Sequence, residues 1–415
     1  MNFSGITKSA FAAAALIALA LPPARAADPI KIGFSMEETG GLAANGKQAL
    51  IAMQIWAEDV NAKGGLLGRP VELVHYDDQS NPANVPQIYT KLLDVDKVDL
   101  VVGSYATGLI APAMPIVMQH NKVFIGLLGL GVNTDFQYPK YFSMLPAGPN
   151  PKTAFAEGFF NIAKEQNPKP KTMAIVSADI EFAHNAADGA RALAKADGFQ
   201  VVYDKTYPGN ITDCTPVVRA IQAANPDVVV VASYITDSVC MTRAVKEVGF
   251  KPKMIGAAMV GPQSTPIKQQ LGAALNGFIA FDIWQPAKTM LFPGVEDVLK
   301  KYQARAKEVG ADPLGYYMVP VSYADLQILQ QAVEATKSLD QDKLAEYMHA
   351  TTFHTVFGDI KFGKDGEWEK GRMLMVQFQG ITGNDVDQFK DPAHTVILDP
   401  PALKSGNVAY PFTGG

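Results

Sequence analysis

The feature that most constrains this chain is an alternation of short β-branched runs with longer segments of helical periodicity, which occurs in two successive series. The first helical segment shows the pattern clearly, because Leu50, Met53, Ala57 and Val60 fall at spacings of three, four and three residues on one face. Such alternation is typical of parallel sheets whose strands are connected by crossover helices. The sequence therefore predicts an α/β fold with more than one sheet.

The predicted strands fall into two groups separated by a proline-rich joint at residues 146–151. The first group comprises 29–34, 71–75, 99–102 and 122–127, and the second comprises 172–177, 200–204, 227–231 and 253–256. Each proline of the joint removes an amide donor and restricts the residue before it, so the joint interrupts both sheets. We predict a domain crossover there.

The last third of the chain offers a strand near 277–283, three helical segments between 294 and 349, and a late hairpin around 362–366. These fragments do not form a third α/β unit, so we expect them to complete the two sheets. The predicted division is a signal peptide at 1–26, a first lobe of 27–148 plus 284–353, and a second lobe of 149–283 plus 354–415. The fold class is then α/β with two Rossmann-like lobes, each a mainly parallel sheet flanked by helices, joined by a three-stranded hinge.

The N-terminus predicts export. Lys8 precedes an apolar run at 10–21, and Pro22 and Pro23 are followed by Ala24-Arg25-Ala26, which is typical of a secretory signal cleaved after Ala26. The apolar run has about a dozen residues, whereas a membrane-spanning helix needs roughly 20. An uncleaved anchor is the alternative interpretation.

Composition and motifs argue against several functional classes. A net charge of −5 provides no general attraction for nucleic acid or anionic lipid. The glycine-rich segment from Gly41 to Lys47 is followed by Gln48, not by the Ser or Thr that would bind Mg²⁺ in a nucleotide site. No His pair at i, i+4 and no Gly-x-Ser-x-Gly elbow occurs. We expect no enzymatic activity, no cofactor and no metal.

Two cysteines, Cys214 and Cys240, lie near the starts of two successive predicted helices that flank the strand at 227–231. An oxidising destination permits a disulfide between them, and the sequence leaves open whether they are bridged. A catalytic thiol is disfavoured because no His or basic cluster lies near either residue to lower its pKa.

Several short segments carry a family resemblance. They are 30–34, 39–41 with Gly46, 59–70, 76–82, 101–104 with Pro112, 226–229, 248–250 and 362–366. In this order and spacing the chain resembles the type I periplasmic binding proteins of the leucine/isoleucine/valine-binding kind. The resemblance implies a monomeric, periplasmic solute-binding protein of an ABC importer, whose partners are a small-molecule ligand and an inner-membrane permease and ATPase complex. A periplasmic sensor of the same fold is the alternative.

The resemblance also implies a ligand site in the cleft between the lobes. Tyr105-Ala106-Thr107 matches the carboxylate-binding segment of the family, with the Thr107 hydroxyl as donor, although Thr107 could equally cap the following helix. Two positions depart from the family pattern. Leu130 replaces a hydroxyl-bearing residue, and Ala258 falls where the family places the acid that binds the ligand ammonium.

Glu37, at the end of the first strand, is the candidate replacement acid, and a solvated loop carboxylate is its alternative interpretation. The candidate ligand-binding residues are Glu37, Asn45, Tyr105, Ala106, Thr107, Leu128, Gly129, Leu130, Phe182, Tyr234, Ala258, Trp284 and Met318. Together they predict a carboxylate-bearing solute, with an aromatic or other organic acid favoured over an ordinary α-amino acid. A branched-chain amino acid or amide remains the alternative ligand.

Overall fold

The structure is a computed structural model that describes residue 1 and residues 28–414, so the predicted cleavage site after Ala26 lies outside the described residues. Two lobes each contain a parallel or mainly parallel sheet flanked by helices. The strands are β1 (Ile30–Met36), β2 (Val71–Asp77), β3 (Leu100–Tyr105), β4 (Phe124–Leu127), β5 (Tyr141–Ser143), β6 (Thr172–Ala178), β7 (Gln200–Tyr207), β8 (Val228–Ser233), β9 (Met254–Met259), β10 (Ile279–Asp282), β11 (Thr352–Thr355), β12 (Gly358–Lys361), β13 (Leu374–Phe378) and β14 (Thr395–Asp399).

The α-helices are α1 (Ala43–Asn61), α2 (Val85–Thr90), α3 (Thr107–Ile110), α4 (Met114–Gln119), α5 (Val132–Phe136), α6 (Pro151–Lys164), α7 (Glu181–Asp197), α8 (Thr215–Ala224), α9 (Ile235–Val248), α10 (Thr265–Leu271), α11 (Val295–Ala306), α12 (Val319–Thr336) and α13 (Gln341–Ala350). Each predicted strand of the two series is present, with ends that differ by up to three residues. Among the described residues, no helix has the length and apolar character needed to cross a membrane.

The first lobe is built on a five-stranded parallel sheet in the order β2-β1-β3-β4-β5. Helix α1 covers one face of this sheet and packs against α11 and α12, which arrive from the C-terminal third of the chain. The predicted apolar face of α1 is buried at all four positions, Leu50, Met53, Ala57 and Val60. This burial explains why the late helices complete the first lobe: they cover α1 from outside.

The second lobe contains a seven-stranded sheet in the order β14-β13-β10-β9-β8-β6-β7. Five strands are parallel, and β13 is antiparallel both to β10 and to the edge strand β14. Helices α6 and α7 pack closely against each other, since a Cβ at Gly189 of α7 would lie 1.9 Å from the carbonyl oxygen of Lys152 in α6. A glycine is therefore required where the two helices touch.

The backbone passes between the lobes at three places, and the crossing segments lie side by side. The first crossing, at 146–148, is hydrogen-bonded to the third, since the Arg372 amide donates to the Pro146 carbonyl across 2.8 Å. The second crossing follows β10, whose last residue Asp282 pairs with Leu374 of β13. Adjacent crossing strands allow bending while keeping the lobes in register.

The third crossing lies later in the chain than the sequence predicted. Residues after 354 were assigned to the second lobe, but Trp368 donates its indole N–H to the Ser143 carbonyl at 3.0 Å, and the Ser143 amide donates to Gly366 at 2.8 Å. Phe362 packs on Phe142 with ring centroids 5.1 Å apart. These apolar contacts hold the segment 354–369 on the first lobe. A hairpin of β11 and β12 precedes the predicted turn, so the chain crosses only near 370–373.

Arg372 anchors this third crossing. Its guanidinium lies 4.7 Å from the ring centroid of Phe357, 4.9 Å from Phe292 and 5.2 Å from Trp368, and it donates to the Phe357 carbonyl. Burial lowers the pKa of Arg372 to about 10. Three aromatic faces thus stabilise a buried cation where the chain leaves the first lobe.

Candidate functional site

A cavity of about 560 Å³ lies between the two lobes, within the range of about 300–1,000 Å³ that is usual for small-molecule sites. The first lobe contributes Gly41, Leu42, Ser80, Pro82, Ala106, Gly108, Leu109 and Pro112, and the second contributes Ile180, Glu181, Phe182, Gly209, Tyr234, Ile235, Thr236 and Asp237. Ala106 follows β3, Ile180 follows β6 and Tyr234 follows β8. The cavity therefore lies at the carboxyl ends of parallel strands, where open α/β sheets bind ligands.

The lobes are closed over this cavity. Asn185 of α7 donates its side-chain amide to the Leu130 carbonyl of the first lobe across 3.4 Å.

Ala106 adopts a positive φ of 80°, a conformation that is uncommon for a residue with a Cβ. A strained backbone at the cavity wall is characteristic of a binding site.

An aromatic wall forms the second-lobe side of the cavity. The Phe182 and Tyr234 rings stack with centroids 5.1 Å apart and an interplanar angle of 29°. Phe155 supports Phe182 from behind in an edge contact at 5.0 Å. A flat, apolar surface of this kind suits an aromatic or branched aliphatic group of a ligand.

Two acidic residues on the cavity wall, Glu181 and Asp237, were not among the predicted site residues. Burial raises the pKa of Glu181, and the charge of Asp135 adds to the rise while Lys152 opposes it. Burial also raises the pKa of Asp237, whose Oδ2 accepts a hydrogen bond from the Tyr207 hydroxyl at 2.7 Å. The residues found to line the cavity include no Lys, Arg or His.

A sequence signal for these two acids did exist. Each lies in the first turn of a helix that begins directly after a strand of the second lobe. Acidic residues are favoured at helix N-termini, and in this fold those termini face the cleft.

Glu37 is fully buried, with 0% of its surface exposed, so the interpretation as a solvated loop carboxylate is wrong. Neither carboxylate oxygen has a partner at full hydrogen-bond geometry among the described residues, although the Ser104 hydroxyl and the backbone amides of Glu37 and Tyr105 lie near them. Burial raises the pKa of Glu37 and the charge of Asp78 raises it further, while these nearby donors act in the opposite direction. A buried carboxyl without a partner is costly, and it indicates a site for a hydrogen-bond donor.

Glu37 lies behind the cavity wall rather than on it. Tyr105 lies near it, with its ring packed edge-on against Tyr317 at 6.3 Å and its hydroxyl near Asn45 of α1. Burial raises the pKa of Tyr234 in the second lobe, and the charge of Glu37 adds to the rise, so Glu37 lies near the contact between the lobes.

Thr107 does not cap helix α3, because Ala106 occupies the cap position. The Thr107 hydroxyl oxygen instead accepts the Leu130 amide at 2.9 Å, and both residues are buried. Gly129, next to Leu130, packs closely against Ile110 of α3, because a Cβ at this position would lie 2.9 Å from the Ile110 side chain. The loop at 128–130 and the start of α3 thus form one unit beside the cavity.

The remaining candidates belong to the packed interior. Ala258 lies within β9 opposite Ala232. The Trp284 indole donates to the Met290 carbonyl at 2.8 Å, and Met318 is fully buried where α12 begins. None of the three lines the cavity. Of the predicted site residues, Ala106, Phe182 and Tyr234 line it directly, and Glu37, Asn45, Tyr105, Thr107, Leu128, Gly129 and Leu130 do not.

No group of three or more His, Cys, Asp and Glu side chains suited to a metal ion occurs among the described residues. The segment from Gly41 to Lys47 contributes to the cleft through Gly41 and Leu42. Gly46 has a different role, because a Cβ there would lie 2.2 Å from the Glu37 carbonyl oxygen. The glycine lets α1 approach the end of β1.

The two cysteines form a disulfide in the structure, with their Cα atoms 5.6 Å apart. Cys214 immediately precedes α8 and Cys240 lies in α9, so the bond joins two helices of the second lobe. The disulfide borders a second, more exposed depression that shares Ile235 and Thr236 with the interlobe cavity. It therefore supports the helix that carries Asp237.

The sequence profile of the periplasmic binding protein family matches residues 29–383. The chain belongs to that family. A Leu/Ile/Val-binding protein homolog 7 of Brucella abortus (strain 2308) is 25% identical to this periplasmic binding protein over 398 residues, covering 92% of this chain and 96% of the relative.

Solved structures show the same fold. The branched-chain amino acid transporter substrate-binding protein LivJ of Streptococcus pneumoniae, in complex with isoleucine, superposes with a TM-score of 0.71 at 19% identity and covers 90% of this chain and 100% of its own. A solute-binding protein of an ABC transporter from Rhodopseudomonas palustris BisB5, in complex with 3,4-dihydroxybenzoic acid, gives 0.70 at 19% identity, with 86% and 94% covered. This chain is thus a type I periplasmic binding protein of the ABC transporter family, with the two-lobed fold of solute-binding proteins.

Proposed function

We propose that this periplasmic binding protein is the solute-binding component of an ABC importer, and that its lobes close on a small carboxylate-bearing solute without changing it chemically. We further propose that the mature protein is a periplasmic monomer that delivers its ligand to an inner-membrane permease and ATPase complex.

The observation that best supports a choice of ligand class is the buried carboxyl of Glu37, which lacks a hydrogen-bond partner among the described residues. It lies behind the residues that line the cavity, near enough to Tyr105 and Tyr234 for its charge to act on both, so a ligand that reaches past this lining between the lobes would meet it. A ligand ammonium would supply the donor that this carboxyl lacks and would keep it ionised. We therefore favour an amino acid over an acid without an ammonium, in contrast to the preference drawn from the sequence.

The acidic cavity wall supports the same choice. Glu181 and Asp237 line the cavity, and no cationic side chain found there offsets them. A purely anionic ligand would meet unfavourable charge, whereas a zwitterion would present its ammonium to these carboxylates. Phe182 and Tyr234 would then contact the ligand side chain.

An aromatic acid is the second candidate ligand, and the Phe182 and Tyr234 stack is the observation that favours it. The Rhodopseudomonas palustris protein of the same fold was solved with 3,4-dihydroxybenzoic acid, and the Streptococcus pneumoniae protein with isoleucine. These two compounds separate the candidates because only isoleucine carries an ammonium.

Titration calorimetry with isoleucine and 3,4-dihydroxybenzoate tests the proposal on the wild type, Glu37→Gln and Glu38→Gln. Glu38 is the matched control, because its carboxylate faces His75 at 2.9 Å and is partly exposed. We expect isoleucine affinity to fall roughly ten- to a hundredfold in Glu37→Gln and to stay unchanged in Glu38→Gln. If the protein binds dihydroxybenzoate but not isoleucine, and Glu37→Gln leaves the dihydroxybenzoate affinity unchanged, the second candidate is the ligand class. Failure of both compounds would reject both ligands.

A further inference from the structure

The lobes also meet at a polar junction away from the ligand cavity. It is formed by Asp312, in the connection between α11 and α12 of the first lobe, and by Thr265 and Lys268 of α10 in the second lobe. None of these residues lines the 560 Å³ cavity, and all three are buried. The junction is therefore a contact between lobes that does not depend on the ligand.

The first lobe holds Asp312 firmly. Its Oδ1 accepts the amides of Leu314 at 2.9 Å and Gly315 at 3.0 Å, and the Tyr302 hydroxyl donates to its carbonyl at 2.7 Å. These bonds leave Oδ2 directed at the second lobe. There it accepts the amide of Thr265, the first residue of α10, at 2.6 Å. Asp312 thus caps a helix that belongs to the other lobe.

A buried lysine lies one turn further along the same helix. Lys268 is only 2% exposed, and burial lowers its pKa, while the charges of Asp282 and Asp312 act in the opposite direction. Asp282 lies at the second crossing between the lobes and is itself held by the Ile283 amide at 2.7 Å. Lys268 is therefore attracted by one acid at the hinge and by another on the opposite lobe, in surroundings where water screens charge weakly.

We infer that this junction is a latch that stabilises the closed form of the protein in the absence of ligand. Separation of the lobes at this point would break the bond between Asp312 and Thr265 and leave the α10 N-terminus without its acceptor. Opening of the lobes loses this hydrogen bond to a charged group. The bond therefore favours the closed form over the open form by roughly tenfold or more. Asp312 is then a positioning residue that sets how readily the cleft opens.

Two independent substitutions remove the bond. Asp312→Asn retains an acceptor for Leu314 and Gly315 but directs an amide donor at the Thr265 N–H. Thr265→Pro removes that N–H at the first helical position, where proline is well tolerated. Ser264 already has the extended conformation, with φ −78° and ψ 125°, that a following proline requires. Matched controls are Asp297→Asn, on the exposed face of α11, and Thr265→Val, which keeps the N–H.

Small-angle X-ray scattering and amide hydrogen exchange on the purified, ligand-free proteins test the latch, so the result does not depend on the identity of the ligand. We expect both bond-breaking variants to have a larger radius of gyration than the wild type, with faster exchange in the cavity-lining segments 106–112 and 180–182. The controls should match the wild type. Equal scattering and exchange in all five proteins would overturn the inference, because the junction would then be a static contact at the pivot.

Discussion

Leu130 donates its backbone amide to the Thr107 hydroxyl oxygen across 2.9 Å, and both groups are buried beside the ligand cavity. The hydroxyl that the family resemblance assigned to the ligand therefore has a structural partner. Its proton remains free to donate, since a hydroxyl has one donor and two acceptor sites. If removal of this hydroxyl weakens ligand binding, the change would therefore combine the loss of a donor to the ligand with the loss of the acceptor for the Leu130 amide.

Thr107→Val should lower the free energy of unfolding by about 1–3 kcal/mol, because the substitution leaves the buried Leu130 amide without an acceptor. Urea denaturation of the ligand-free protein measures this directly. Thr107→Ser keeps the oxygen and is the matched variant, for which we expect a smaller loss. An unchanged unfolding midpoint in Thr107→Val would show that the contact contributes little to the loop.

Stability should depend on pH through Glu367, whose two oxygens have no hydrogen-bond partner among the described residues. Burial raises the pKa of Glu367 to about 8 from an ordinary value of 4.5. Between these values the folded protein holds a proton that the unfolded chain has lost, so stability falls as pH rises from 4.5 to 8. The loss should be on the order of a few kcal/mol.

Thermal unfolding at pH 5 and pH 8 measures that slope, and Glu367→Gln isolates the part due to this residue. We expect the difference in melting temperature between the two pH values to shrink in the variant. Glu369→Gln serves as the control, since Glu369 is exposed and faces Lys361 at 3.2 Å. An equal pH dependence in wild type and Glu367→Gln would contradict the prediction.

The disulfide between Cys214 and Cys240 closes a segment with a sequence separation of 26. A loop of this length restricts the unfolded chain enough to contribute about 3 kcal/mol. The Cys214→Ala, Cys240→Ala double variant should unfold at a correspondingly lower urea concentration than the oxidised wild type. If reduction of the wild type leaves the midpoint unchanged, the bond does not contribute to stability.

Arg372→Lys should destabilise the protein by about 1–3 kcal/mol, although it keeps the charge. A planar guanidinium can stack on Phe292, Phe357 and Trp368 together, whereas an ammonium cannot. Chemical denaturation reports the loss. Arg219→Lys on the exposed surface of α8 is the matched control and should be neutral. A similar small effect in both variants would show that the aromatic contacts add little.

Local sequence patterns were sufficient for the α/β class and for the two strand series. The reason is that β-branched runs and a helical period such as that of Leu50, Met53, Ala57 and Val60 directly reflect which faces are buried. The family resemblance correctly indicated a two-lobed binding protein, as the match over 29–383 shows. It also singled out Phe182 and Tyr234, which line the cavity because their positions follow strands of the second lobe.

Tertiary structure alone decided the contacts between residues far apart in the chain. The third crossing lies at 370–373 and not near 354, because Trp368 and Phe362 contact residues of the first-lobe sheet that lie more than 200 residues earlier in the chain. The environment of Glu37 depends on residues from β3 and from the opposite lobe, so its burial has no local signature. The same holds for the bond between Asp312 and Thr265, because a hydrogen bond across two lobes is determined by how the lobes pack. Sequence periodicity reports which side of an element is buried, and only the packed fold determines what that side meets.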